Sequence, residues 1–346
     1  MAQFFATLAS FKSHLGGSVN QSLELESVAP VIVDTAERHL LPYLGQSYYD
    51  ALLAKFEATT MTSTEQKVVA KLQRALALLT MYEYLPVAAV QVSEAGVFRV
   101  ETDSHKAAFR YQEAQLRAYF LEKGYEALEA MLVYMADNRT SLTTWRDGAE
   151  GTAYLSTLLN RVGDFRVYYG SNLSRYTFEC MRQAVRLVEY HAVRCQVPTG
   201  FWSAFQTKYL AGTLTASEKS LLALWREAVA HYAADLAMRF GIVEYRDGRL
   251  VETFVGVEQG TVSQKQPPLN DSNVKNWLHY ALGQSHTGVW KSYLVEAKAD
   301  FPLVFDVASG GTSTATDAWH INTADEAAEA EAARIEANKA SAVVRF

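Results

Sequence analysis

The chain repeats itself. Tyr48-Tyr49-Asp50-Ala51-Leu52 recurs as Phe201-Trp202-Ser203-Ala204-Phe205, 153 residues later (201 − 48). The register persists: Lys55 and Phe56 fall on Lys208 and Tyr209, Glu65 on Glu218, and the stripe Val69, Leu72, Leu76, Leu79 on Leu222, Trp225, Val229, Tyr232. Self-similarity on this scale restricts the chain to folds in which one unit is built twice.

Any two amphipathic helices share an apolar period, so the flanks of the match decide its meaning. Thr62 with Glu65, and Thr215 with Glu218, have the spacing of a capping box, in which hydroxyl and carboxylate satisfy amides at a helix start. Downstream, Val100-Glu101-Thr102 recurs as Val251-Glu252-Thr253. Upstream, Phe4, Leu8, Phe11 and Lys12 match Leu158, Val162, Phe165 and Arg166, and Glu37 and His39 match Glu189 and His191.

The expected fold is mainly α: two tandem copies of a helical unit, each with a β-hairpin, followed by a C-terminal linker and helical arm. The units span 1–150 and 151–307, with the linker and arm at 308–346. Each copy reads as an opening helix, a second helix ending near His39 or His191, a short aromatic helix, a long capped helix, a hairpin and a closing helix. The hairpins run from Val90 to Val100 and from Ile242 to Phe254; Asp247-Gly248 marks the second turn, where both central residues must reach positive φ. On the long helix, Val69, Leu72, Leu76 and Leu79 face the core, and Lys67, Lys71 and Arg74 face solvent.

The copies differ between hairpin and closing helix. Copy one needs only Asp103 and Ser104 there, whereas copy two inserts 255–273, rich in Gly, Gln and Ser. Such loops are uncommon in compact domains and are either functional or merely flexible. Ser309 to Thr316 is a linker, and Thr323 to Ala340 an Ala/Glu-rich helix whose only large apolar side chain is Ile335. Candidate partner contacts are Gln264, Pro267 and Pro268 on the insertion, and Ile335 and Phe346 on the arm.

Composition narrows the function classes. With 32 basic and 38 acidic residues in 346, the net charge is −6, which leaves no surplus positive charge for a phosphate backbone. No stretch approaches the roughly 20 apolar residues of a membrane span. Met1 to Leu15 reads as an amphipathic helix rather than a secretory signal, because no basic residue precedes its apolar positions. Cys180 and Cys195 make neither a disulfide framework nor a four-ligand metal site.

No catalytic, cofactor-binding or metal-binding residue is expected. Glu37 and His39, like Glu189 and His191, are two apart on a helix and point about 200° apart. His279 and His286 share a face but are separated by about 10 Å of rise. Gly310-Gly311-Thr312 lacks the strand, lysine and helix of a phosphate loop. Ser171 and Ser174 lack the setting of a nucleophile elbow. The repeated aromatics Tyr48, Tyr49, Phe201 and Trp202 read as anchors between the short and long helices.

Leu41-Pro42-Tyr43-Leu44-Gly45 with Tyr48-Tyr49, then Val92-Ser93-Glu94-Ala95-Gly96, a helix through Lys106 and Ala107 to Leu132, and Trp145 after Asn138 together resemble an uncharacterised protein family of Bacteroidota phages and prophages, from about residue 25 to about 195. The resemblance implies a virion assembly context. Small helical units bearing a hairpin are similar to head–tail adaptor, or neck, subunits that stack on a portal ring. What it implies is therefore a homo-oligomeric ring contacting portal and tail or neck proteins, with DNA passing through, in a virion assembled in the bacterial cytoplasm. Two other classes remain open: a non-virion interaction or scaffolding protein, and an enzyme with a concave pocket and convergent titratable groups.

Overall fold

A computed structural model describes residues 4–16, 23–88, 90–93, 96–99, 110–170, 172–246, 249–252 and 288–305. The fold is mainly α. In the first half, helices α1 (Leu8–Lys12), α2 (Leu25–Thr35), α3 (Leu41–Leu44), α4 (Gln46–Glu57) and α5 (Ser63–Ala88) lead to the hairpin β1 (Val90–Ser93) and β2 (Gly96–Arg99). Helix α6 (Arg110–Asp137) then packs back along α5, followed by α7 (Thr143–Arg146) and α8 (Ala149–Ser156). The second half holds α9 (Val162–Tyr169), α10 (Arg175–Val188), α11 (Thr199–Ala211), α12 (Ala216–Arg239), the hairpin β3 (Val243–Arg246) and β4 (Arg249–Glu252), α13 (288–296) and α14 (Pro302–Phe305). Both hairpins are antiparallel, with Val90 opposite Arg99 and Val243 opposite Glu252.

The core divides in two. One buried cluster runs from Phe4 to Leu155 and the other from Leu158 to Val304, so the division falls at the end of α8. Within each cluster the long helix is the spine. On α5, Val69, Leu72, Leu76 and Leu79 are buried, Lys67 and Arg74 are exposed, and Lys71 is half-buried. Trp225 takes the place of Leu72 on α12 and packs against Phe205, Trp202 and Trp290.

Local geometry recurs at the same offset. Glu65 accepts from the Thr62 amide at 2.8 Å and from Lys55 Nζ; Glu218 accepts from the Thr215 amide at 2.8 Å and from Lys208 Nζ at 2.7 Å. Burial of each carboxylate opposes ionisation, but the ammonium and the threonine amide and hydroxyl outweigh it and hold both below the ordinary glutamate range. Ahead of each cap the chain turns through a left-handed residue, Thr59 at φ 55° in one half and Gly212 at φ 76° in the other. The following amide closes the turn in both, Thr60 onto the Lys55 carbonyl at 3.0 Å and Thr213 onto the Lys208 carbonyl at 2.9 Å. Even the anchor of the opening segment is shared: Gln73 donates to the Phe4 carbonyl at 2.7 Å, and Arg226 to the Leu158 carbonyl at 2.7 Å.

Three expectations need revision. The opening helix of the first half is confined to five residues, because Thr7 and Ser10 form a capping box that starts it late. A π-helical turn, Ala36–Leu40, ends α2, and its counterpart, Glu189–Val193, ends α10. Those turns share the 153-residue offset, so the pairing of Glu37 with Glu189 and of His39 with His191 is one residue out of register; His39 falls opposite Ala192. Accordingly His39 is buried and His191 exposed. Finally, α7 and α8 carry the link between the halves, which periodicity did not reveal because each is under three turns long.

Candidate functional site

The densest polar arrangement lies where the two cores meet. Ser174 caps α10 by accepting from the Thr177 amide at 3.0 Å, which places Arg175 on the first turn, pointing toward the first half. The Arg175 side chain is 2% exposed. Its Nη1 donates to Glu129 of α6 at 2.7 Å and to the Asn160 carbonyl at 3.0 Å, and Nη2 donates to Glu179 at 3.3 Å. Glu179 also accepts from Arg182 at 2.6 Å and from the Tyr43 hydroxyl. The other Glu129 oxygen accepts the amide of Val162, the first residue of α9, at 2.8 Å.

Aromatic faces complete the enclosure. The guanidinium of Arg175 lies 5.2 Å from the Tyr43 ring centroid and 5.3 Å from that of Phe178. Burial disfavours its charge, and the surrounding phenolic and carboxylate oxygens more than offset that, so the group stays protonated. Burial likewise pushes the Tyr43 hydroxyl up to about 12, against the pull of Arg175. Nearby, the Tyr125 and Tyr176 rings meet at 5.1 Å, and Arg161 reaches Asp137 at 2.7 Å.

A cleft of about 370 Å³, its open mouth included, opens beside this network between Pro42, Tyr43, Tyr154, Asn160, Arg175 and Arg182. Of its three arginines, Arg175 is engaged by Glu129 and Glu179 and Arg182 by Glu179, while Arg186 and Glu150 also line the cleft. What the arrangement does is mechanical: one buried guanidinium with several acceptors, drawn from α6, α10 and the segment between them, sets the orientation of one core on the other.

His39 serves the first core. Its Nε2 lies 3.0 Å from the Glu83 carboxylate and its Nδ1 3.1 Å from the Tyr125 hydroxyl, so the ring bridges the two by hydrogen bonds. Glu189, on the matching π turn, accepts the Leu158 amide at 2.8 Å, and burial raises its carboxyl to about 7. Among the described residues, no three His, Cys, Asp or Glu side chains are grouped to hold a metal ion, and no helix is long and apolar enough to cross a membrane. Gln264, Pro267, Pro268, Ile335 and Phe346 all lie outside the described residues, as do His279, His286, Ser171 and the Gly310-Gly311-Thr312 run.

Sequence reasoning missed Arg175. The i, i+4, i+7 ladder of Arg175, Glu179 and Arg182 behind a serine cap was readable, but its partner Glu129 lies 46 residues earlier, on another helix.

Residues 40–154 match a family of unknown function (DUF6712). The match runs from the first π turn into α8, and so takes in Tyr43, Glu129 and Tyr154 of the junction but not Arg175. No curated protein and no solved structure matches the chain.

Proposed function

We propose that the chain is a phage virion structural protein, a head–tail adaptor or connector subunit that stacks on the portal ring and joins head to tail. Its two halves are, on this reading, tandem copies of one helical unit. The shared 153-residue offset of π turns, left-handed turns and capping boxes supports the duplication. The resemblance carried by Leu41 to Gly45, Tyr48-Tyr49 and Val92 to Gly96 supports the virion context.

The observation that carries the proposal is the way the halves are joined. Helix α6 of the first meets α10 of the second, so unlike faces of like units are in contact. Repeated contacts between unlike faces produce closed rings when their rotation closes, and a ring is what an adaptor must be to pass DNA through its centre. The acidic balance fits a channel that DNA traverses without adhering. Mass spectrometry of purified particles tests it: the chain is expected in the virion in ring-like copy number with portal, neck and tail proteins. Absence from intact particles overturns it.

A further inference from the structure

The cleft at the junction is assembled by both halves, and the network that joins them leaves part of it unused. Tyr43, Glu150 and Tyr154 come from the first half, and Arg175, Arg182 and Arg186 from α10 of the second. Steps of seven and four residues return close to one side of a helix, so the three arginines fall on the same side of α10. Two of the lining residues hold a buried polar group with no hydrogen-bond partner: the Arg175 Nε–H and the Tyr154 hydroxyl. The Tyr154 ring centroid lies 5.9 Å from the Arg175 guanidinium carbon, so the two unpaired groups are neighbours. Buried donors in folded proteins nearly always have a partner, because leaving one unpaired forfeits its hydration without return.

Charge and shape say what that partner would be. Arg175 and Arg182 are held by Glu129 and Glu179, neither of which lines the cleft. Arg186 is exposed and makes no ion pair among the described residues; it acts only at longer range on Glu189, whose carboxyl burial raises to about 7. The one carboxylate in the wall is Glu150, seated against Gly45, where an added Cβ would stand 2.3 Å from its Oε2. Pro42, Leu159, Phe178 and Val185 supply apolar surface. The wall therefore combines three guanidiniums, one carboxylate and an apolar lining, within a volume near the lower end of the roughly 300–1,000 Å³ of small-molecule sites.

We infer that the cleft binds a monocarboxylate with an apolar body, its oxygens accepting from the Tyr154 hydroxyl and the Arg175 Nε–H and its charge facing Arg186. Both donors are closed to water, so the carboxylate reaches them as the Tyr154 ring gives way by a small shift. A single charge suits the one arginine that has no ion pair, and the apolar body suits the aromatic and aliphatic wall. A free small acid and a carboxylate presented by a polypeptide share this chemistry. The inference is independent of the virion reading, since it rests on the cleft alone.

Titration of the full-length chain with phenylacetate, followed by calorimetry, tests it. Phenylacetate should bind saturably at one site per chain, and its uncharged isostere phenylacetamide and inorganic phosphate should each bind roughly tenfold more weakly or less. Tyr154→Phe should weaken phenylacetate roughly tenfold, as loss of a hydrogen bond to a charged group does, without lowering the thermal midpoint of the free protein, because that hydroxyl has no partner to lose. Arg186→Gln should weaken it about threefold, the scale of an exposed charge, and Glu150→Gln should tighten it. These last two lie at the surface and carry the test if Tyr154→Phe fails to fold. A short peptide ending in phenylalanine separates the sources: tighter binding than phenylacetate assigns the site to a polypeptide, weaker binding to a free acid. No saturable binding, phenylacetamide binding as well as phenylacetate, or affinity unchanged in Arg186→Gln and Glu150→Gln overturns the inference.

Discussion

The caps of α5 and α12 are nearly superposable in chemistry, while the helices that close the two halves are not alike at all. Thr62, Glu65 and Lys55 make the same bonds as Thr215, Glu218 and Lys208. Helix α6, by contrast, packs on both α5 and α10 and is buried from Phe120 to Ala136 along a broad arc, whereas among the described residues of α13, 288–296, Trp290 and Leu294 are buried. Local rules, which act over a few residues, are satisfied twice over; the tertiary environment is what separates the halves, and it separates them where one half docks on the other.

The largest effect should come from the docking arginine. Arg175→Ala removes the buried cation of the network, leaving Glu129 with the Val162 amide and Glu179 with Arg182 and Tyr43, so it should cost about 3 kcal/mol in denaturant titration, the lower end for breaking a buried ion pair. A loss below about 1 kcal/mol, the range of a surface pair, would show that the junction is solvated. Next, Leu72→Ala should cost about 2–5 kcal/mol and Trp225→Ala about 3–5 kcal/mol, each opening a cavity in its own core. If either substitution proves nearly neutral, the long helices are not matching spines.

Smaller effects sharpen the likeness. Thr62→Ala and Thr215→Ala should each cost about 0.5–2 kcal/mol, by similar amounts, because each removes the same cap. Thr59→Gly should raise stability by about 1 kcal/mol, since a β-branched residue is strained at φ 55° and glycine is not. Gly212→Thr should do the opposite, because φ 76° strains a β-branched residue, while the Arg139 guanidinium tip, 2.4 Å from the added Cβ, can swing aside.

The carboxylates give the finest test because their pH dependences have opposite sign. Glu65 and Glu218 are held below the ordinary value of 4.5 in the fold, so their stabilisation is present above that value and is lost as pH falls through the folded pKa. Glu189 is raised to about 7, so the folded state holds a proton that the unfolded state has released, and stability falls as pH rises from about 4.5 to about 7. Thermal midpoints of Glu189→Gln should lack that decline; a parallel decline in the variant would place its origin elsewhere.

Much of each unit was legible in the residues. The capping boxes, the buried stripe on α5 and the hairpins all follow from spacing, because each is decided within a turn or two of chain. The π turns were not, since one extra residue in a helix changes its phase without changing its composition; His39 and His191 looked paired because Glu-x-His is spelled twice at an offset of 152, while the helices keep 153, so one is buried and the other exposed. Nor was Arg175, whose role depends on Glu129 arriving from another helix. The partner contacts expected at Gln264, Pro267, Pro268, Ile335 and Phe346 lie outside the described residues.

Hydrogen exchange tests the contrast between α6 and the described residues of α13 most directly, because amide protection reports local opening helix by helix. Amides of α6 between Phe120 and Met135 should be strongly protected and those of 288–296 much less so. Equal protection of the two segments would contradict the account.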